Sequence, residues 1–274
     1  MHFIDTHCHL DDERYGEDLD TVLSKAHALG VEEIIIPAAS PSTLSKAKEI
    51  SDKYEKIYFA LGLHPCNIDE NSDFEMLLSQ YISEKKCVAI GECGLDYYYL
   101  PKIAQEDLKG HSSKEADKKR EETQNIKQAQ KARFIAQVEL AISNDLPLIV
   151  HVREASNDVC EILSSYKKAR GVLHCYNADR ILLSLSDRFY YGIGGVATFK
   201  NARRLIEVLP LIPHNRLLLE TDAPYLAPHP YRGQRNSPEY IPLIAVRIGE
   251  ILGLKTEEIA DITTQNAQNL FKFI

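Results

Sequence analysis

The sequence contains no run of apolar residues near the ~18 needed to cross a bilayer as a helix, so a transmembrane helix is excluded. It has no C-x-x-C pair among its six cysteines, Cys8, Cys66, Cys87, Cys93, Cys160 and Cys175. An even cysteine count signals a disulfide framework in a small secreted chain, but this one has 274 residues. Cys8, Cys93 and Cys175 stand beside candidate ligands and are expected to point away from them, packed as small buried hydrophobes. Basic residues are in the minority, 32 against 40 acidic, for a net charge of −8. That argues against a broad basic surface for gripping long duplex. It leaves open a site where bound cations neutralise phosphate locally. The N-terminus shows no basic segment followed by an apolar stretch, and the expectation is a cytoplasmic protein.

What is present is an ordinary globular composition, 44% hydrophobic and 26% charged, able to bury a large core. Eight short β-rich runs occur, at residues 3–6, 33–37, 57–61, 88–91, 148–152, 172–174, 189–193 and 217–220. Each is nearly all apolar rather than alternating, as strands covered on both faces are. Helical patterns lie between them, at residues 18–29, 42–54, 130–143, 156–166, 179–186 and 201–209. Ser72 and Glu75 form a capping-box pattern opening another. Two more run from Pro238 to Leu252 and from Thr256 to about Phe271. Eight strand–helix units in this length predict a single-domain (β/α)8 TIM barrel over residues 1–274. An open doubly wound sheet fits less well, because no glycine-rich phosphate loop follows the first strand. Residues 102–127 break the rhythm, being dense in charge and poor in apolar side chains. They read as an insertion between strand 4 and helix 4, a loop or protruding helix at the barrel's C-terminal face.

Barrel enzymes carry their chemistry at the C-terminal ends of the strands. Strand one ends in Asp5-Thr6-His7-Cys8-His9, and two histidines two apart on a strand aim the same way. Later runs end in His64, Glu92 with Asp96, His151 with Arg153, His174, and Glu220 with Asp222. A lone histidine is usually structural. A ligand type at one strand end after another predicts a divalent metal site, and imidazole with carboxylate suits Zn, Mn, Mg or Fe. The number of donors, with a carboxylate able to bridge, fits two ions ~3.5–4 Å apart.

These stretches resemble the TatD-type metal-dependent deoxyribonucleases of the amidohydrolase-like barrels. The resemblance rests on Asp5-Thr6-His7-Cys8-His9-Leu10, Gly62-Leu63-His64-Pro65, Gly91-Glu92-Cys93-Gly94-Leu95-Asp96-Tyr97-Tyr98, His151-Val152-Arg153-Glu154-Ala155, His174-Cys175-Tyr176, Glu220-Thr221-Asp222-Ala223-Pro224 and Arg232-Gly233-Gln234-Arg235-Asn236-Ser237-Pro238. It covers the chain apart from about residues 102–127. It implies two divalent ions (Mg, Mn or Zn), one held by His7, His9, Glu92 and Asp222, the other by Glu92, His151 and His174. Glu92 takes the bridging place that a carbamylated lysine fills in many related barrels, and no lysine ends strand 4 or 5 here. The resemblance also implies that Asp222 accepts the proton of the attacking water. Glu220 orients that water or helps hold a further metal, and His64, Arg153, Arg232 and Asn236 hold substrate phosphate or the leaving group.

The expected reaction is metal-assisted phosphodiester hydrolysis. The resemblance adds DNA as the partner, cut from the 3′ side of single strands or frayed ends. No membrane partner and a monomer are expected. The alternative is a two-metal hydrolase of a small amide, ester or lactone, since one barrel serves many chemistries.

Overall fold

The computed structural model describes residues 1–67, 80–101 and 114–273. Eight parallel strands run in sequential order around one sheet: β1 Phe3–Asp5, β2 Val31–Ala38, β3 Ile57–Leu61, β4 Cys87–Asp96, β5 Leu148–Arg153, β6 Gly171–Leu173, β7 Phe189–Ile193 and β8 Leu217–Leu219. The sheet closes on itself. Thr6 N and Thr6 Oγ1 donate to Leu219 O at 3.1 and 3.0 Å. Further along the seam, Asp222 N donates to His7 O at 2.9 Å, and Cys8 bridges Ala223. The result is the expected (β/α)8 barrel, because strands apolar on both faces need cover on both.

The helices are α1 Leu19–Ala28, α2 Pro41–Lys53, α3 Lys114–Ser143, α4 Ser156–Ser165, α5 Arg203–Val208, α6 Ile241–Leu252 and α7 Thr256–Phe271. Two expectations change. The 179–186 segment is a 3-10 helix, Arg180–Leu185, too short of α-type pairing to form a full helix. The fourth helical pattern starts well before residue 130, since α3 has 30 residues and spans ~45 Å at 1.5 Å per residue. The charged residues 114–127 are its solvated first half. Its second half buries Phe134, Val138 and Ala141 against the barrel. The rest of the charged stretch and the Ser72–Glu75 capping pattern lie outside the described residues. No helix among the described residues is long and apolar enough to cross a membrane.

The barrel's lower interior is a layer with members from every strand, including Ile4, Ile35, Tyr58, Val88, Ile149 and Val172. Ala267, Leu270 and Phe271 of α7 plug it from below. Truncating a buried ring such as Phe271 to alanine costs about 3–5 kcal/mol in comparable cores.

Candidate metal centre

Side chains on a strand repeat every two residues, so the plug layer predicts what comes above it. On β5, Ile149 in the plug is followed inward by His151 and then Arg153. Val172 of β6 is followed by His174, and Leu218 of β8 by Glu220. On β4 the register against β5 slips between Ile90 and Cys93, and Glu92 turns into the barrel. Gly91 lies inside the slip, where its φ is +157° and a Cβ would lie 2.6 Å from the carbonyl oxygen of Ile149.

Four donors meet above β1, β4 and β8. His7 Nε2 lies 3.3 Å from His9 Nε2, 3.4 Å from Glu92 Oε2 and 3.7 Å from Asp222 Oδ1. His9 Nε2 lies 3.8 Å from Glu92 Oε2 and 3.6 Å from Asp222 Oδ1. Donors bound to one ion at ~2.0–2.1 Å in a tetrahedron stand about 3.4 Å apart. The measured edges suit a divalent ion better than direct hydrogen bonds, which are shorter. His7 Nδ1 is buried without a partner, so its ring is held by packing. It stacks on His174 with centroids 3.6 Å apart.

The other carboxylate oxygen of Glu92 faces a second group. Oε1 lies 2.8 Å from His151 Nδ1, 3.3 Å from His174 Nε2 and 3.5 Å from His64 Nε2. Each Glu92 oxygen thus serves a different imidazole set, which is the geometry a bridging ligand needs. Burial alone would raise the Glu92 carboxyl, but His174, His64 and His151 around it hold it well below the usual range. Asp222 is lowered in the same way, its burial outweighed by His9, His174 and His7. Burial lowers His64 to about 4 and leaves it neutral. Burial also lowers His7. It acts the same way on His151 and His174 but is overcome there by the carboxylates Asp96, Glu92 and Glu220, so both are raised.

Partners outside the cluster fix it. Asp96 Oδ2 lies 3.2 Å from the far nitrogen of His151, an orienting contact of the kind metal histidines use. Gln130 of α3 holds Asp96 in turn, accepting from its N–H and donating to its carbonyl, both at 2.9 Å. Gln137, two turns on, does the same to Leu63 beside His64, at 2.8 and 3.2 Å. Asp5 points to the seam rather than to the donors. It accepts from Thr221 N at 2.9 Å and Thr221 Oγ1 at 2.6 Å, and burial pushes its carboxyl up to about 8. Asp222 sits at φ +56°, uncommon for a non-glycine residue and typical of constrained sites.

The structure brings His7, His9, Glu92, His151, His174 and Asp222 together as expected. His64 stands closer than expected: with Glu92 and His151 it forms one group able to hold an ion, while His7, His174 and Asp222 form another that spans the two sides of Glu92. Glu220 needs correction. It is fully buried, accepts from Cys175 N at 2.5 Å, and lies 3.3 Å from His174 Nδ1, behind the ring rather than facing the cleft. Asn236 is corrected too. Its amide is buried and donates to Thr221 O at 2.8 Å, while its oxygen accepts from Ser237 N at 2.9 Å. Its side-chain amide also donates to Tyr225 O at 2.5 Å, so these bonds are spent on shaping the loop after β8. Arg232 is exposed, stacked on Phe199 at 3.8 Å, away from the donors. Arg235 is tied to Asp18 at 2.6 Å. Arg153 does line the cleft with His64, Glu92 and Asp222. Cys8 and Cys93 are buried, as expected, whereas Cys175 is only partly buried. Sequence reading gave no role to Asp96, Gln130 or Gln137. Asp96 carried a signal, being four residues from Glu92 and so on the same strand face. The glutamines carried none.

Comparison with known proteins adds the following. Residues 4–272 match the family model described as TatD related DNase. The chain is 38% identical over 273 residues to YabD of Bacillus subtilis (strain 168), described as an uncharacterized metal-dependent hydrolase, covering 98% of each chain. It is 34% identical over 280 residues to YcfH of Escherichia coli (strain K12), described in the same words, covering 99% of this chain and 96% of that one. The crystal structure of YjjV, a TatD homologue from Escherichia coli K12, superimposes with a TM-score of 0.82 at 29% identity, over 98% of both chains.

Proposed function

The chain belongs to the TatD related DNase family, and from that premise we propose that it is a metal-dependent hydrolase of DNA phosphodiester bonds. The substrate is a single strand or a frayed end, shortened from its 3′ side. The observation that carries the reading is Glu92, whose two oxygens face two separate sets of donors, His7, His9 and Asp222 on one side and His151 and His174 on the other. Two divalent ions held by these residues would supply Lewis-acid polarisation of the phosphoryl group and a more acidic water.

The residues divide the remaining work. Asp222 lines the cleft, and its carboxylate, held ionised by His9 and His174, is the base that takes the water's proton. Neutral His64 offers the leaving oxygen a hydrogen bond without adding charge. Arg153 lines the same cleft and counters the charge of the phosphate. Glu220 keeps the His174 ring turned towards Glu92.

The test is a time course on a single-stranded oligodeoxynucleotide with an internal label, in magnesium, in manganese and in EDTA, beside Asp222→Asn. The expected result is metal-dependent release of mononucleotides from the 3′ end, absent in the variant. Intact DNA in every metal, with rapid cleavage of small esters, would overturn the reading and favour the small-molecule hydrolase.

A further inference from the structure

Three aromatic rings are exposed among the described residues, Tyr98, Tyr99 and Tyr225, at 37%, 70% and 50%. All three stand at the mouth of the metal cleft. Tyr99 and Tyr225 line it from opposite flanks, after β4 and after β8, and Tyr98 packs edge-on against Tyr99 at 5.0 Å. Each flank also carries a stacked arginine. The Arg153 guanidinium lies 3.7 Å from the Tyr98 ring centroid and 5.2 Å from that of Tyr99, and its Nη1 donates to Tyr99 Oη at 3.4 Å. Arg14 lies 4.5 Å over Tyr225, and the same Tyr225 ring meets His9 edge-on at 6.0 Å. Arg14 is itself anchored by Asp12 at 2.7 Å. A pair of wet rings, each backed by a cation and set beside one cluster of metal donors, differs from the scattered exposed apolar residues of an ordinary surface.

We propose that these two tyrosine–arginine pairs are base-stacking platforms that seat one base on each flank of the scissile phosphate. The inference deepens the nuclease reading and rests on it. It assigns the ligand as single-stranded polynucleotide rather than duplex, since a base must leave its own stack to lie on a ring. It also accounts for how a chain of net charge −8 holds a polyanion: local guanidinium and ring faces substitute for a basic surface. Arg153 borders a neighbouring cavity of about 570 Å³ whose lining mixes Lys127 and Arg204 with Glu154, Asp158 and Asp179, so there is room, though no net positive lining, beyond the Tyr99 flank.

The experiment crosses ring against base, using manganese-loaded enzyme. One substrate is an intact single-stranded oligodeoxynucleotide, and the others carry one abasic sugar on either side of the 3′-terminal linkage. Y99L and Y225L are each expected to raise KM on the intact strand about 5- to 150-fold. On the abasic strand lacking that ring's base, the same change moves KM by less than about twofold, the non-additivity expected of a direct contact. Y99F and Y225F keep the ring and behave like the native enzyme. The proposal is overturned if the leucine variants penalise abasic and intact strands alike, or leave KM unchanged on both. Should the native enzyme cut no strand, the nuclease reading falls and the platforms are read separately. A 2-aminopurine base in place of the abasic sugar is then expected to be quenched by the native protein and by Y99F but not by Y99L. Equal quenching by all three overturns the platforms.

Discussion

Glu220 Oε1 lies 3.3 Å from Nδ1 of His174, while the opposite nitrogen of the same ring lies 3.3 Å from Glu92 Oε1. The imidazole is held between two carboxylates, one facing the cleft and one buried behind it. Glu220→Gln keeps the shape and removes the charge. Its expected effect is a 10- to 100-fold loss of metal affinity, about what such orienting partners are worth. The pH–rate profile is expected to keep both limbs, with the acid limb moved to lower pH because Glu220 no longer raises His174. A lost limb in that profile would show that Glu220 itself moves the proton.

Gly192 faces Glu220 from β7, and a Cβ there would lie 2.1 Å from Glu220 Oε2. Gly192→Ala is expected to cost about 1–3 kcal/mol of stability through overpacking. Because the clash is with this one carboxylate, adding Glu220→Ala is expected to restore part of the loss. Thermal unfolding of the two single variants and the double variant checks it, and strict additivity would speak against the contact.

Glu92→Ala is expected to abolish both metal sets at once, with activity down on the order of 10³-fold or more. His174→Ala is expected to spare the His7, His9 and Asp222 set. Elemental analysis of the purified proteins decides: an ion retained by Glu92→Ala contradicts the bridging role.

Asn236→Ala leaves the Thr221 carbonyl without the amide that caps it. The expected cost is about 1–3 kcal/mol in unfolding free energy. A raised KM without a stability loss would return Asn236 to the substrate.

His151 and His174 have pKa values raised above 6.5, because neighbouring carboxylates outweigh burial. A proton must leave each before an ion can bind, so protons compete with metal up through the raised values. The sign is therefore rising apparent metal affinity as pH increases from 6 to 8. Without metal the sign reverses for these two groups. Their contribution to stability is full below 6.5 and lost as pH rises through the folded values. Metal titrations across that range check the first statement, and a flat affinity would refute it.

The strand positions were legible in sequence because strands covered on both faces read as continuous apolar runs, and β3 and β7 fall at the expected limits, Ile57–Leu61 and Phe189–Ile193. The donors were legible for a related reason. Barrel chemistry sits at strand ends, so His7, His9, His151, His174 and Asp222 announced themselves by position. The length of α3 was hidden, since its first half is charged all round and has no apolar stripe to mark it. Side-chain direction was hidden as well. The inward parity of β8 turns Glu220 into the barrel behind His174, and the loop after β8 folds Asn236 inward and leaves Arg232 outside. Which nitrogen faces which oxygen, how Gln130 and Gln137 clamp the strand ends, and how Tyr99 and Tyr225 come to line one cleft depend on contacts between distant segments. Local composition determined the barrel and its ligand inventory. Only the closed tertiary structure decided which of those residues share a site, because barrel closure brings β1, β4 and β8 to one point.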